Sequence, residues 1–264
     1  MHMDAGSLFD VAGKTVVVTG GSRGIGRMIA QGFVQSGATV VISARKAEAC
    51  EKAAAELSAL GPGTCHAHPA DLSTEEGIAS LVARVAEVSP RLDVLINNAG
   101  ATWGAPVDEF PAGGFDKIFD INVKGVFMLT QALLPSLRAA ATDDDPGRVI
   151  NIGSIDGLVV SGTDNFSYGA SKAAVHMLTR KLAATLAAER ITVNAIAPGP
   201  FPSKMMAFIL DDPERKDAIE GAVPLGRVGT PEDVAGTAIF LSSRAGAYLT
   251  GTVIPVDGGM SGTR

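Results

Sequence analysis

Tyr168 and Lys172 stand four residues apart, a spacing that puts both side chains on one face of a helix. A tyrosine hydroxyl in water has a pKa of about 10, too high to exchange a proton readily near neutrality. Lowering it by about 3 units takes roughly 4 kcal/mol of preferential phenolate stabilisation, and the Lys172 ammonium is one source of it. A phenol tuned in this way can give a proton to an alkoxide or remove one from an alcohol. The spacing alone is common on helix surfaces, so its surroundings decide what it does.

The segment Thr19-Gly20-Gly21-Ser22-Arg23-Gly24-Ile25-Gly26 lies between a β-branched run, 15–19, and a helical pattern, 24–37, in which Ile25, Ile29 and Phe33 recur four apart. Gly20 permits a tight turn, Gly24 lets backbone approach a pyrophosphate, and Gly26 lets the helix lie close to the strand. Phosphates then meet the positive end of the helix dipole. This is the pattern of a dinucleotide site, and an oxidised nicotinamide ring is a second positive source beside Tyr168. The end of the second strand chooses the dinucleotide. A carboxylate there accepts bonds from the ribose 2′-hydroxyl of NAD, but the run here is Ile42-Ser43-Ala44-Arg45-Lys46. A guanidinium grips a 2′-phosphate with two bonds, so Arg45 and Arg23, helped by Ser43 and Lys46, predict NADP(H).

The elements that must position these residues alternate along the chain. Short β-branched runs at 15–19, 39–42, 93–97, 148–152, 191–196 and 252–256, with a weak one near Cys65-His66, are separated by helical stretches at 46–60, 74–88, 114–140, 168–188 and 231–241. Strands apolar on both faces imply a parallel sheet covered by helices on both sides. Right-handed crossovers then favour an α/β, doubly wound Rossmann fold of about seven strands. No linker or repeat divides 1–264, so one domain is expected, with 200–224 long enough to form a lid.

The chain has 264 residues, 46% hydrophobic and 19% charged, enough for a substantial core, and a net charge of −6. That charge argues against general nucleic-acid or anionic-membrane binding, both of which need positive charge. No run of about 18 or more apolar residues predicts a spanning helix, and residues 1–11 carry no secretory pattern. The expectation is a soluble, cytoplasmic protein. Two cysteines and four histidines show no metal spacing.

Asn97-Asn98-Ala99-Gly100 ends the fourth strand, Asn122 lies in the long helical stretch, Ser154 follows the fifth strand and Pro198-Gly199 the sixth. With the glycine loop and Tyr168/Lys172, these residues resemble the short-chain dehydrogenase/reductase family along almost the whole chain. The resemblance implies that Ser154 hydrogen-bonds a substrate carbonyl, Tyr168 donates the proton, Lys172 orients the nicotinamide ribose, and Asn122 supports a proton-relay water. It implies cofactor contacts from Gly20, Ser22, Arg23, Gly24, Ile25 and Gly26, from Ser43 and Arg45, and from Asp71 and Leu72 against the adenine. Further contacts are implied for Asn98, Ala99, Gly100, Tyr168 and Lys172, and for Pro198, Gly199, Phe201 and Ser203 around the carboxamide. Two departures stand out. Ser154 and Tyr168 are 168 − 154 = 14 apart, one more than the family's commonest spacing, so the intervening loop must bulge. Ser203 stands where the family often has threonine.

The stretches 147–169, 194–203 and 245–251 look most like the 3-oxoacyl reductases, particularly those of the rhamnolipid-pathway type. That implies NADPH-dependent reduction of a 3-oxoacyl thioester to its 3-hydroxyacyl product. An apolar lid containing Phe201, Met205, Met206, Phe208, Ile209 and Leu210, with Trp103 near by, suits a flexible aliphatic substrate. Asp143, Asp144 and Asp145 would repel an acidic acyl-carrier protein unless Arg138, Arg148 or Arg190 compensates. Coenzyme-A thioesters and small ketones or alcohols (sugar, polyol or steroid-like) therefore stay open. A dehydrogenase running toward ketone would want a carboxylate after the second strand. A non-catalytic NADP-binding regulator would show damage in the Asn122, Ser154, Tyr168 and Lys172 set, which is complete. The long helices ending at Ala140 and Ala188 could bury a second apolar face, and the resemblance implies a homotetramer or dimer.

Overall fold

The β-branched runs form seven strands: β1 Thr15–Thr19, β2 Thr39–Ala44, β3 Thr64–Pro69, β4 Val94–Asn97, β5 Gly147–Ile152, β6 Ile191–Pro198 and β7 Val253–Val256. The computed structural model describes residues 4–203, 206 and 211–263. The strands are parallel and lie in the order β3-β2-β1-β4-β5-β6-β7. The order reverses between β1 and β4, and ligands of doubly wound sheets bind outside the carboxyl ends of the strands at such a switch point.

The helices are α1 Ala5–Leu8, α2 Gly24–Gln35, α3 Ala47–Ser58, α4 Glu75–Val88, α5 Ala112–Phe119, α6 Gly125–Ala140, α7 Phe166–Leu186, α8 Pro213–Ala222 and α9 Pro231–Ser242. Successive strand residues face opposite layers, which is why the central strands carry apolar residues on both faces. Val16, Val18, Val40, Ile42, Val94 and Ile96 join Ile29 and Phe33 of α2, Leu57 of α3 and Val234 and Leu241 of α9 in one core. Val17, Val41, Leu95 and Val149 join Leu81 of α4, Leu129 and Leu133 of α6 and Leu186 of α7 in the other. Thr230 and Asp233 form a capping box at the start of α9, with Pro231 in its first turn.

Three expectations change. The helix expected over 114–140 is interrupted by a π-helical segment, Asp120–Lys124, which carries Asn122. The extra residue per turn re-aims that side chain, and such segments recur at functional sites. Helix α7 begins at Phe166 rather than at Tyr168, so Tyr168 lies in its first turn. Within 200–224, α8 occupies the second half, whereas Met205, Phe208, Ile209 and Leu210 lie outside the described residues.

Two of the three carboxylates of the acidic turn are paired. Asp143 pairs with Arg190, and Asp145 pairs with Lys14 and with the buried Arg148, 3.1 Å away. Arg148 also donates to the carbonyls of Leu241 and Ser243, at 3.1 and 3.0 Å. The turn leads into the amino end of β5, opposite the carboxyl ends of the sheet. Asp144 is exposed and has no ion pair among the described residues. No helix among the described residues is long and apolar enough to cross a membrane, and those residues hold no cluster of metal-binding side chains.

Candidate active site

The loop from β1 to α2 is shaped by close approach. Gly20 has φ +67° and Gly24 φ +53°, a region in which Cβ is strained. A Cβ on Gly26 would lie 2.4 Å from Asn98 Nδ2 and 2.6 Å from the Gly20 carbonyl. Gly20 N–H donates to the Ser43 carbonyl at 2.7 Å, tying the loop to β2. Thr19, which the sequence reading passed over, organises the other side. Its hydroxyl accepts from the N–H groups of Asn98 and Ala99, at 2.9 and 2.8 Å, and Asn98 Nδ2 donates to the Thr19 carbonyl at 2.8 Å. Arg23, the residue before α2, is extended and offers no side-chain cap. The first N–H groups of α2 therefore keep their capacity to bind an anion.

The residues present fit a dinucleotide. Ser43 Oγ is buried at the end of β2 and has no hydrogen-bond partner among the described residues, so it is placed to meet a ligand hydroxyl or phosphate. Arg23, Arg45 and Lys46 are exposed. Ser22 and Ile25 are half-buried in the loop, and Leu72 is buried. The Asp71 carboxylate accepts from the Ser73 hydroxyl and N–H, at 2.7 and 3.0 Å, which holds its pKa below the usual range, with Arg45 assisting. At the end of β6, Gly199 abuts Asp257, where a Cβ would come within 2.8 Å of the Asp257 Cα. Ser203 lies over the glycine loop, with its Cβ 3.3 Å from where a Gly24 Cβ would stand. Phe201 differs from expectation. Its ring is buried in the core against Gly229, which leaves only its backbone to face a ligand beside Pro198 and Gly199.

Asn122, Ser154, Tyr168 and Lys172 are brought together at the carboxyl ends of β4 and β5. The Asn122 carboxamide accepts from Ala101 N–H at 2.9 Å and donates to the Ala101 carbonyl at 3.0 Å and Ser171 Oγ at 2.9 Å. It thus joins the β4 turn, the π segment and α7. A Cβ on Gly100 would lie 3.0 Å from Asn122 Oδ1 and 3.7 Å from Lys172 Nζ. Lys172 Nζ donates to the Ile152 carbonyl at 2.8 Å and lies 5.5 Å from the Tyr168 ring centroid. Burial pulls this ammonium down to about 8. Two of its three N–H donors remain for a ligand. By contrast, Asn97 donates to Thr130 and Asn151 inside the core, a structural role.

The phenol departs from expectation in direction. Burial pushes Tyr168 up to about 12, a hydrogen bond with Ser154 opposes this, and the Asp156 carboxylate adds to it. Lys172, itself desolvated and drawn toward neutrality, does not outweigh the loss of water. At neutral pH the hydroxyl therefore carries its proton and is a donor. Beneath the pair, the ring of His176, one turn beyond Lys172, fills the space beside Gly153, where a Cβ would lie 2.1 Å from Nε2. The sequence reading assigned His176 no role, and its contact with Gly153 joins two segments that the sequence does not bring together.

The chain matches a family model described as enoyl-(acyl carrier protein) reductase, adh_short_C2, over residues 20–261. It is 51% identical over 251 residues to the rhamnolipids biosynthesis 3-oxoacyl-[acyl-carrier-protein] reductase of Pseudomonas aeruginosa, covering 95% of this chain and 97% of that one. It is 34% identical over 258 residues to the L-tagatose-forming galactitol 2-dehydrogenase of Cereibacter sphaeroides, covering 97% and 98%. Among solved structures, the Pseudomonas aeruginosa RhlG/NADP active-site complex superimposes with a TM-score of 0.93 at 50% identity, covering 99% of this chain and 100% of that chain.

Proposed function

Since the chain belongs to the short-chain dehydrogenase/reductase family of oxidoreductases, we propose that it is an NADPH-dependent carbonyl reductase that converts a 3-oxoacyl thioester to the 3-hydroxyacyl product. One observation carries the reading. A half-buried phenol hydrogen-bonded with Ser154 stands with its ring 5.5 Å from the buried Lys172 ammonium, in a chain about half identical to a 3-oxoacyl reductase over nearly its full length.

NADPH, when bound, supplies the hydride that reduces the carbonyl carbon. The first-turn N–H groups of α2 and the glycine loop hold its pyrophosphate. Arg45, Arg23 and Ser43 hold its 2′-phosphate, since charge-assisted guanidinium bonds are the strong ones and no carboxylate ends β2. Lys172, fixed by the Ile152 carbonyl, offers its remaining N–H groups to the nicotinamide ribose. Ser154 donates to the substrate carbonyl oxygen, and Tyr168 gives that oxygen its proton as negative charge grows there. Asn122 holds Ala101 and Ser171 in place around the site, and Ser171 Oγ in turn donates to the Tyr168 carbonyl at 2.7 Å.

With Asp143 and Asp145 of the acidic turn paired, and the turn at the amino end of β5, a carrier-protein thioester is the substrate the reading favours over a free ketone. Exposed apolar residues on the outer helices, Phe127 of α6 and Met177 of α7, support assembly into a homo-oligomer. The test is NADPH oxidation with one 3-oxoacyl chain carried on acyl-carrier protein and on coenzyme A, against sugar, polyol and steroid ketones. A kcat/KM highest for a thioester upholds the proposal, and turnover confined to a free ketone overturns its substrate.

A further inference from the structure

The loop that lengthens the spacing between Ser154 and Tyr168 is closed by one polar pair. Asn165 Nδ2 donates to the Asp156 carboxylate at 2.8 Å. Asp156 N–H donates to Ser154 Oγ at 3.2 Å, and its carbonyl lies 3.3 Å from where a Cβ on Gly169 would stand. At the far end, the Asn165 carbonyl accepts from the N–H groups of Tyr168 and Gly169, at 2.9 and 3.1 Å. Asn165 is the residue before α7, and asparagine there ordinarily turns its side chain onto the first N–H groups of its helix. Here the side chain makes no cap and is spent on Asp156 instead. The turn Ile155–Gly157 is pressed against α7, with a Gly157 Cβ position only 2.7 Å from Ala173 N.

We propose that Asp156 and Asn165 are positioning residues for proton transfer: they lock Ser154 against Tyr168 and hold a carboxylate on the phenol's side of the site, which sets the pH at which the donor form is lost. The proposal rests on Tyr168 being the proton donor. Among the described residues, the charged and titratable groups facing Tyr168 are few. Lys172 faces it from α7, Asp156 from the turn after β5, and His176 stands a further turn along α7 behind Lys172. Asp156 is the one whose charge favours the protonated phenol. Reduction consumes that form, whereas alcohol oxidation needs the phenolate. Fixing the carboxylate with Asn165 thus keeps the donor form available to higher pH and moves the onset of the phenolate with it.

The experiment compares pH profiles of kcat/KM in both directions for the whole enzyme, using a 3-oxoacyl thioester and its 3-hydroxy product. Asp156→Asn removes the charge and retains an acceptor for Asn165. The alkaline fall of reduction and the rise of oxidation should both move to lower pH, giving about a three-fold gain in oxidation on the acidic side of its limb, equivalent to half a pH unit. Asp156→Ser must move the limbs the same way, which guards against a folding defect in one variant. Asn165→Ala should lower kcat in both directions with KM nearly unchanged. Limbs that superimpose on the parent in both Asp156 variants, with NADPH affinity retained, overturn the proposal. Tyr168→Phe is run in parallel. If it is inactive while the limbs stay fixed, only the Asp156 assignment falls; if it is active, the donor assignment falls and this inference with it.

Discussion

Arg45→Asp is the sharpest perturbation of the cofactor site. The guanidinium stands at the end of β2, exposed, beside the Asp71 carboxylate that it helps to keep ionised. A charge-assisted bond to a 2′-phosphate is worth about 1.5 kcal/mol at the low end, suited to an exposed group. The substitution removes that bond and places a second carboxylate next to Asp71 and the phosphate, adding about 1 kcal/mol of repulsion. The sum of about 2.5 kcal/mol corresponds to roughly a 50-fold or greater loss of NADPH affinity. NADH has no 2′-phosphate to lose, and the new carboxylate can accept from its ribose 2′-hydroxyl, so its affinity should hold or rise. Titration of ligand fluorescence gives both constants. Raising the salt should weaken NADPH binding to the parent more than NADH binding, because exposed charge pairs are screened. Equal affinity of the parent for the two dinucleotides, or an NADPH constant that moves less than about three-fold in the variant, a change under 1 kcal/mol, refutes the reasoning.

Three further outcomes follow from the same geometry. Gly26→Ala should cost about 2 kcal/mol or more of stability by urea unfolding and weaken NADPH binding, because its Cβ would meet Asn98 Nδ2 and the Gly20 carbonyl, and overpacking of rigid neighbours costs about 1–3 kcal/mol. Lys172→Met should abolish turnover yet raise the melting temperature of the ligand-free protein at pH 7. The buried ammonium has a pKa near 8, below its unfolded value of about 10.4, so the folded state binds fewer protons; the parent's stability rises with pH across that window, and the variant's rise should be smaller. Alcohol oxidation should climb through the alkaline range as Tyr168, held near 12, begins to ionise, while ketone reduction falls there; paired initial-rate profiles read both limbs.

Much of the fold was legible because its signals are local. Parallel strands buried on both faces have apolar centres, as Thr15–Thr19 and Val94–Asn97 do, and Gly20 and Gly24 adopt the positive φ that their type permits. The spacing of Tyr168 and Lys172 survives directly on α7. What was not legible depends on contacts between distant segments. The π segment at Asp120–Lys124 has no sequence signature; it becomes visible only through Asn122 bonding Ala101 and Ser171. The desolvation that raises the Tyr168 hydroxyl was not legible, because four-residue spacing reveals the nearby ammonium but not the burial around both groups. Compensation of Asp143 and Asp145 by Arg190 and Arg148 was open in the sequence, but the Lys14 contact was not, because Lys14 lies 131 residues away from its partner. Phe201 sits beside the Pro198-Gly199 turn in sequence, yet Gly229 is what receives its ring.

The most direct test of the account is a single-turnover measurement of NADPH oxidation by Tyr168→Phe, with a 3-oxoacyl thioester at saturating concentration. The account predicts unaltered NADPH affinity and a hydride-transfer step slowed by about 10²-fold or more, the range of a lost general acid. A variant that turns over as fast as the parent would contradict it.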